Sequence, residues 1–386
     1  MPIRINPKLI DELELFGSED VQNCYHCGNC SAVCPHADEV FVFPRRSMRS
    51  LQMGLERKLE RSIEPWLCYY CGQCSEQCPR NAEPGETMMS LRRWLISRYD
   101  FTGLSRLFYK SWKTELAAVV LIAVLAAAGL LAYGFGQGSI HIYDGVGAFL
   151  PSSAIHVFDL TIGSLMLLFL LANSIRMWWL IMNRNGESTP WWLYLRKSYL
   201  LPWHFFTQKR YAECESGKPA SVHMPWLAHL GLMLGYATML VLVMLFLPAL
   251  QEGPQIRWST HAFGYLASIG LLVGTIYMIH GRLKKSQVQY VHSHGSDWIF
   301  LILLFLIAIS GVLQHILHRI GLPVAANITY VVHLAFVVPW LLRMPFTKWA
   351  HMIYRTLAMY FAGIRREALA KQIAVADTVQ QLRPAA

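Results

Sequence analysis

Six long apolar runs constrain this chain more than anything else in it. They lie at about Lys113–Phe135, Ser153–Met182, Pro225–Leu247, Thr260–His280, Asp297–Leu317 and Ala325–Leu342. Each supplies the roughly 18–20 residues needed to cross a hydrocarbon core about 30 Å thick. One such run is compatible with a buried helix of a soluble protein. Six in succession predict a mainly α fold with a six-helix transmembrane bundle, in which every backbone group is satisfied within its own helix.

Composition agrees with that reading. Hydrophobic residues make up 54% of the 386 and charged residues only 15%, against roughly 25% charged in soluble domains. The net charge of +10 would fit a nucleic-acid binder, but its placement does not. Residues 1–110 hold 14 Lys/Arg and 14 Asp/Glu, so the whole excess lies among the apolar runs. A nucleic-acid binder gathers its basic residues on one soluble face, and no nucleic-acid partner is expected. Instead the charges orient the bundle. Loop 183–222 carries Arg184, Arg196, Lys197, Lys209, Arg210 and Lys218, and loop 281–296 carries Arg282, Lys284 and Lys285. Arg343, Lys348, Arg355, Arg365 and Arg366 follow the sixth run, whereas the opposite loops offer only Arg257 and Arg319. The positive-inside rule then places both termini in the cytoplasm of a multi-pass protein of the cytoplasmic membrane.

Eight of nine cysteines lie between Cys24 and Cys78. The start MPIRINPKLIDELELF has no apolar signal core and no small-residue cleavage site, so the cysteine segment is expected on the reducing side, where thiols bind metals rather than pair. The segment contains a repeat offset by 44 residues, NCYHCGNCSAVCP at Cys24 and LCYYCGQCSEQCP at Cys68. Both read C-x2-C-x2-C-x3-C-P, the run of bacterial ferredoxins in which the fourth Cys ligates the other cluster. Three thiolates two residues apart wrap one corner of a cubane, and the fourth, followed by Pro35 or Pro79, leaves the turn and reaches elsewhere. One 4Fe–4S cluster is therefore expected on Cys24, Cys27, Cys30 and Cys78. The second falls to Cys68, Cys71, Cys74 and Cys34. Gly28 and Gly72 relieve crowding where the backbone folds over each cluster. A zinc site is the competing reading, but zinc takes four tetrahedral ligands, commonly from separated C-x2-C pairs. Cys214 reads as a plain thiol.

Fifteen histidines are many for this length, and ionisable groups within spans mark function by default. Axial haem ligation is the natural use of a neutral imidazole facing a bundle interior. His229 opens the third run, and His333 and His351 lie on or just beyond the sixth. Their 18-residue separation is five turns of 3.6, which predicts one shared helix face about 27 Å long, blurred by Pro339 and Pro345. By depth, His229 and His351 bracket one haem b on the cytoplasmic side. His333 needs an outer partner from among His156, His261 and His315, with Met239 a remote option, and His156 is favoured. His261 and His315 alternatively hydrogen-bond a quinone carbonyl. His280, His292, His294 and His318 read as surface residues.

The expected organisation is a cluster domain over 1–90, an interfacial linker helix over 91–112, a six-span cytochrome b domain over 113–360 and a cytoplasmic tail over 361–386. The linker assignment rests on the mixture of basic and apolar residues in Leu91–Trp112. Trp191–Tyr211 has the aromatic and basic content of a headgroup-level segment.

The cysteine repeat resembles the small iron–sulfur subunit of heterodisulfide reductases. Spans three to six resemble the cytochrome b subunits of respiratory nitrate reductases and membrane heterodisulfide reductases. Their fusion is similar to the membrane subunits, of the same two-part build, in quinone-interacting membrane-bound oxidoreductase complexes of sulfate reducers and related sulfur bacteria. The resemblance implies menaquinone or menaquinol as substrate, cytoplasmic flavin and iron–sulfur subunits as partners, and adenylylsulfate reductase as an indirect partner. His229, His333 and His351 match three of four axial histidines of the nitrate-reductase cytochrome. Met239 stands where the fourth would be. The CCG motifs of catalytic heterodisulfide subunits have no counterpart here, since the chain holds no Cys-Cys pair. The resemblance thus implies electron transfer rather than disulfide reduction. A subunit of a heterodisulfide- or sulfite-reductase-linked complex, or a haem-bearing anchor that does not react with quinone, are the alternatives.

Overall fold

The apolar runs form helices close to the expected limits. A computed structural model describes residues 4–136, 152–183, 189–213, 223–251, 258–285 and 287–381. Arg184, Cys214, Lys218 and Arg257 lie outside the described residues. Among those described every regular element is helical. The six spans are Trp112–Gly136, Ser152–Met182, Met224–Gln251, Trp258–Lys284, Gly295–Arg319 and Pro323–Arg343. Even the last, with 21 residues, is about 31 Å long at 1.5 Å per residue. Leu121, Leu125, Leu168, Leu266 and Ile328 are each at least 60% exposed. Such an apolar surface is stable only where hydrocarbon replaces water. All six helices are long and apolar enough to cross a membrane.

The chain divides into two compact units. Asp100–Ala172 and Gly217–Ala350 make up one of them. There the third and fourth spans meet through paired glycines, Gly231-x3-Gly235 and Gly270-x3-Gly274. A Cβ on Gly270 would sit 2.6 Å from the Gly231 carbonyl oxygen, and one on Gly235 would sit 2.6 Å from that of Ala267. Small residues at this spacing let membrane helices approach backbone to backbone, where dispersion contacts replace the missing hydrophobic drive. We expect Gly270→Val to separate these helices and lower the unfolding midpoint in detergent by the equivalent of about 1–3 kcal/mol or more. Gly264→Ala, one to two turns away with only Leu242 Cδ1 at 3.9 Å, should have little effect. Equal losses from both would refute the close approach. Elsewhere in this unit Ile155 of the second span packs with Tyr330, Val331 and Leu334 of the sixth.

The other unit combines Met1–Tyr99, Asn173–Ser216 and His351–Ala386. Its centre is aromatic. Trp66 is fully buried, with ring centroids 6.1 Å from Tyr99 and 5.5 Å from Tyr354. Its indole N–H donates to Tyr99 Oη at 3.1 Å. Three helices thus meet here, Glu64–Leu67, Pro84–Tyr99 and His351–Gln381.

Three expectations require correction. Leu91–Trp112 is not one surface helix. The helix Pro84–Tyr99 ends at Asp100, whose carboxylate accepts from the backbone N–H groups of Thr102 and Ser105, both at 2.8 Å, and Leu104–Lys110 forms separately. Arg92 and Arg93 are only 6% exposed. Arg93 donates to the Phe16 carbonyl at 2.7 Å and pairs with Glu86 at 3.0 Å. Arg92 and Arg93 are therefore internal ligands of a folded unit, whereas Arg106 and Lys110 in the second helix are exposed. Residues beyond 360 likewise continue a helix that begins at His351, rather than starting a separate tail.

The third correction concerns the sixth span. It ends at Arg343, two 3-10 turns follow at Met344–Phe346 and Lys348–Ala350, and His351 opens a new helix. Pro345 lies in the first turn, Thr347 is extended, and the Thr347 hydroxyl donates to the Arg343 carbonyl at 2.9 Å. His333 and His351 do not share one helix face, and the five-turn phase no longer relates them.

Candidate electron-transfer site

The cysteine repeat is also a backbone repeat. His26 and Gly28 in the first copy have φ of +59° and +92°, and Tyr70 and Gly72 in the second have +57° and +86°. Two left-handed residues in each copy turn the chain back over its own sulfurs, and glycine fits the second position without Cβ strain. Short helices follow, Asn29–Ala32 and Gln73–Glu76, presenting the third Cys of each run.

Electrostatic neighbours divide the eight thiols into two crossed groups. Cys24 faces Cys78 and Cys27, and Cys30 faces Cys24, Cys27 and Cys78. Cys34 faces Cys68 and Cys71, while Cys74 faces Cys68, Cys71, Cys34 and, most weakly, Cys30. Burial is the main cause that lifts these thiols, Cys30 to about 11 and Cys34 to about 12, with neighbouring cysteines adding to it. Cys68 and Cys74 are raised for the same first reason. Four crowded, desolvated thiols do not ionise together unless a cation sits among them. Cluster iron supplies that charge. Among the described residues, no three His, Cys, Asp or Glu side chains are placed to hold a single metal ion.

The histidines fall into separate settings. His333, on the sixth span, has Nδ1 3.0 Å from Ser310 Oγ on the fifth, and Gly311 leaves room for its ring. With Nδ1 engaged, Nε2 is the nitrogen left to coordinate, the usual arrangement of an oriented ligand. His156 Nδ1 is buried and has no hydrogen-bond partner, with Asp159 in electrostatic range. Its neighbour Ile155 packs against Val331 and Leu334, which flank His333. His261 and His315 lie together, ring centroids 6.1 Å apart, and Tyr265 Oη is 3.0 Å from His315 Nε2. His229 is half-buried on the third span, and His351 opens the last helix of the cysteine-bearing unit.

Several neighbours were not legible as site residues. Tyr265 stands one turn after His261, a spacing that placed it on the same face. Ser310, Arg92 and Arg355 gave no signal, because each reaches its partner from a distant part of the chain.

Residues 20–82 match the family of 4Fe-4S dicluster domains. The class is thus an iron–sulfur electron-transfer module joined to membrane helices. A 71-residue stretch is 35% identical to an iron-sulfur subunit of the CoB--CoM heterodisulfide reductase of Methanopyrus kandleri, covering 16% of this chain and 37% of that protein. The chain therefore spans little more than a third of that relative's length. No solved structure matches.

Proposed function

We propose that the chain is the quinone-reactive membrane subunit of a multi-subunit oxidoreductase. It exchanges electrons between menaquinone or menaquinol and soluble flavin and iron–sulfur subunits, and through them supplies adenylylsulfate reductase. The observation that carries this reading is the pair of crossed cysteine quartets in one unit with the His351 helix, on a chain with six apolar spans. In this proposal the Cys24 and Cys68 quartets each hold a 4Fe–4S cluster. His229 with His351 and His333 with His156 hold two haems b, and the iron–sulfur unit faces the cytoplasm. When bound, these groups supply one-electron chemistry that side chains lack.

The chain's own residues position those groups. Ser310 fixes the His333 ring by its hydroxyl. Tyr265 and His315 share a hydrogen bond in which a proton can be held at Nε2 or Oη, a suitable arrangement for a quinone oxygen that gains or loses protons. The similarity to a heterodisulfide reductase subunit favours, as a second reading, membership of a heterodisulfide-linked complex.

Cofactor analysis of the detergent-extracted complex tests the proposal. It should give about eight non-haem irons with matching sulfide per chain, together with haem b that a menaquinol analogue reduces. His229→Ala and His351→Ala should each remove the same haem from the visible spectrum, and His156→Ala the other. Zinc without iron and sulfide would overturn the cluster assignment. Haems that stay oxidised with quinol analogue would leave an anchor without quinone chemistry.

A further inference from the structure

The two quartets have different charged surroundings. Arg355 donates through Nη2 to the Cys68 carbonyl at 3.0 Å, and its guanidinium lies 4.3 Å from the ring centroid of Tyr69, the next residue. Arg92 is 6% exposed and donates through Nε to the Pro65 carbonyl at 2.7 Å. Both are in electrostatic range of Cys68. Among the described residues neither forms an ion pair with a carboxylate, and Arg92 Nη2 and Arg355 Nε are buried with no hydrogen-bond partner. Two uncompensated cations with spare N–H donors therefore lie beside one quartet.

Among the described residues, the electrostatic neighbours of Cys24 and Cys30 include no buried arginine. Arg45 is the guanidinium in range of Cys24, and it is exposed. Arg80, also exposed, stacks 4.3 Å from the Tyr25 ring. Water and salt screen both. Cys27 is itself exposed, whereas Cys68 and Cys74 are buried. Backbone N–H groups reach sulfur in both quartets, from Tyr70 to Cys68 at 3.3 Å and from Ala82 to Cys78 at 3.4 Å, so this effect alone does not separate them.

Reduction adds one negative charge to a cluster, so nearby cations raise its potential. Burial opposes the added charge, but the same low dielectric strengthens the attraction of Arg92 and Arg355, which are in that region with it. We propose that these two arginines hold the potential of the cluster on Cys34, Cys68, Cys71 and Cys74 above that of the cluster on Cys24, Cys27, Cys30 and Cys78. A single electron in the unit then rests on the Cys68 side. The exchange is balanced within the protein. One electron leaves the reduced cluster of one quartet and enters the oxidised cluster of the other, with no bond made or broken and no proton moved. Arg355 lies one helical turn after His351, so the favoured quartet is the one tied to the helix carrying that proposed haem ligand. Arg355 is a positioning residue, not a ligand.

The inference rests on the reading that each quartet holds a 4Fe–4S cluster. Stepwise dithionite reduction of the full detergent-purified protein, followed by electron paramagnetic resonance, tests it. Cys71→Ser assigns the signals, because it alters the spectrum of the Cys68-side cluster only. The first signal to appear should be that one. Arg355→Gln should shift its midpoint to more negative potential and leave the other cluster in place; Arg355→Lys, which keeps the charge, should not. Arg92→Gln provides an independent second shift in the same direction, and Arg45→Gln should move neither midpoint. Reduction of the Cys24-side cluster first, or equal shifts of both clusters, would overturn the inference. Wild-type protein lacking two 4Fe–4S clusters by iron and sulfide analysis would instead overturn the reading beneath it.

Discussion

Arg343→Met is expected to destabilise the six-span unit by about 3–5 kcal/mol. Arg343 closes the sixth span and pairs with Glu115 in the first turn of the first span, and their side chains are 3% and 0% exposed. Each charge also suits its helix end, the carboxylate near an N-terminus and the guanidinium near a C-terminus. Removing the cation leaves a carboxylate with neither water nor a counter-charge, apart from the nearby Lys348–Asp297 pair at 2.9 Å, which already has its own balance. The double variant Glu115→Met/Arg343→Met removes both charges and should recover much of the loss, since a buried pair replaced by apolar residues is often neutral. Thermal unfolding of the detergent-solubilised protein measures all three. A single substitution no worse than the double would mean that the pair is not buried in the inserted protein.

Trp66→Ala should cost a similar amount, about 3–5 kcal/mol, in the unit that holds the cysteines. The indole is fully buried between Tyr99 and Tyr354, so its removal opens a cavity where three helices meet. Trp66 also precedes Cys68 by two residues, in the short helix Glu64–Leu67 that leads into the second quartet. We expect iron to fall by about half per chain as that quartet loses its position, a second readout independent of unfolding. Trp66→Phe keeps most of the apolar contact but leaves the Tyr99 hydroxyl without its donor, and should cost only about 1 kcal/mol. Full iron retention in Trp66→Ala would show that the aromatic centre does not position Cys68.

The spans were legible because bilayer thickness fixes a length that local sequence must meet, and the six runs meet it. The cysteine repeat was legible because turn geometry ties ligand spacing to a short stretch of backbone, seen again in the paired left-handed residues His26/Gly28 and Tyr70/Gly72. What escaped depends on partners distant in sequence. Arg92 and Arg93 looked amphipathic because the Pro65 and Phe16 carbonyls and Glu86 that bind them cannot be seen in a local window. The glycines of the third and fourth spans lie at helical spacing on each run, yet only what they meet on the other helix, Gly231 against Gly270, Gly235 against Ala267 and Gly274 against Ala228 and Leu232, gives them meaning. The helix phase from His333 to His351 failed at Pro345 and Thr347, where the Thr347 hydroxyl takes the Arg343 carbonyl and the chain starts a new helix.

The cysteine-bearing unit is assembled from three stretches, the last beginning at His351. Tyr354 and Arg355, which close its aromatic centre and touch Cys68, leave the ribosome only after all six spans have been made. During synthesis the N-terminal stretch must therefore wait, with one side of Trp66 uncovered, while the bundle enters the membrane. A chain stopped near residue 350 would have every span and every cysteine, yet its iron–sulfur unit would remain unclosed.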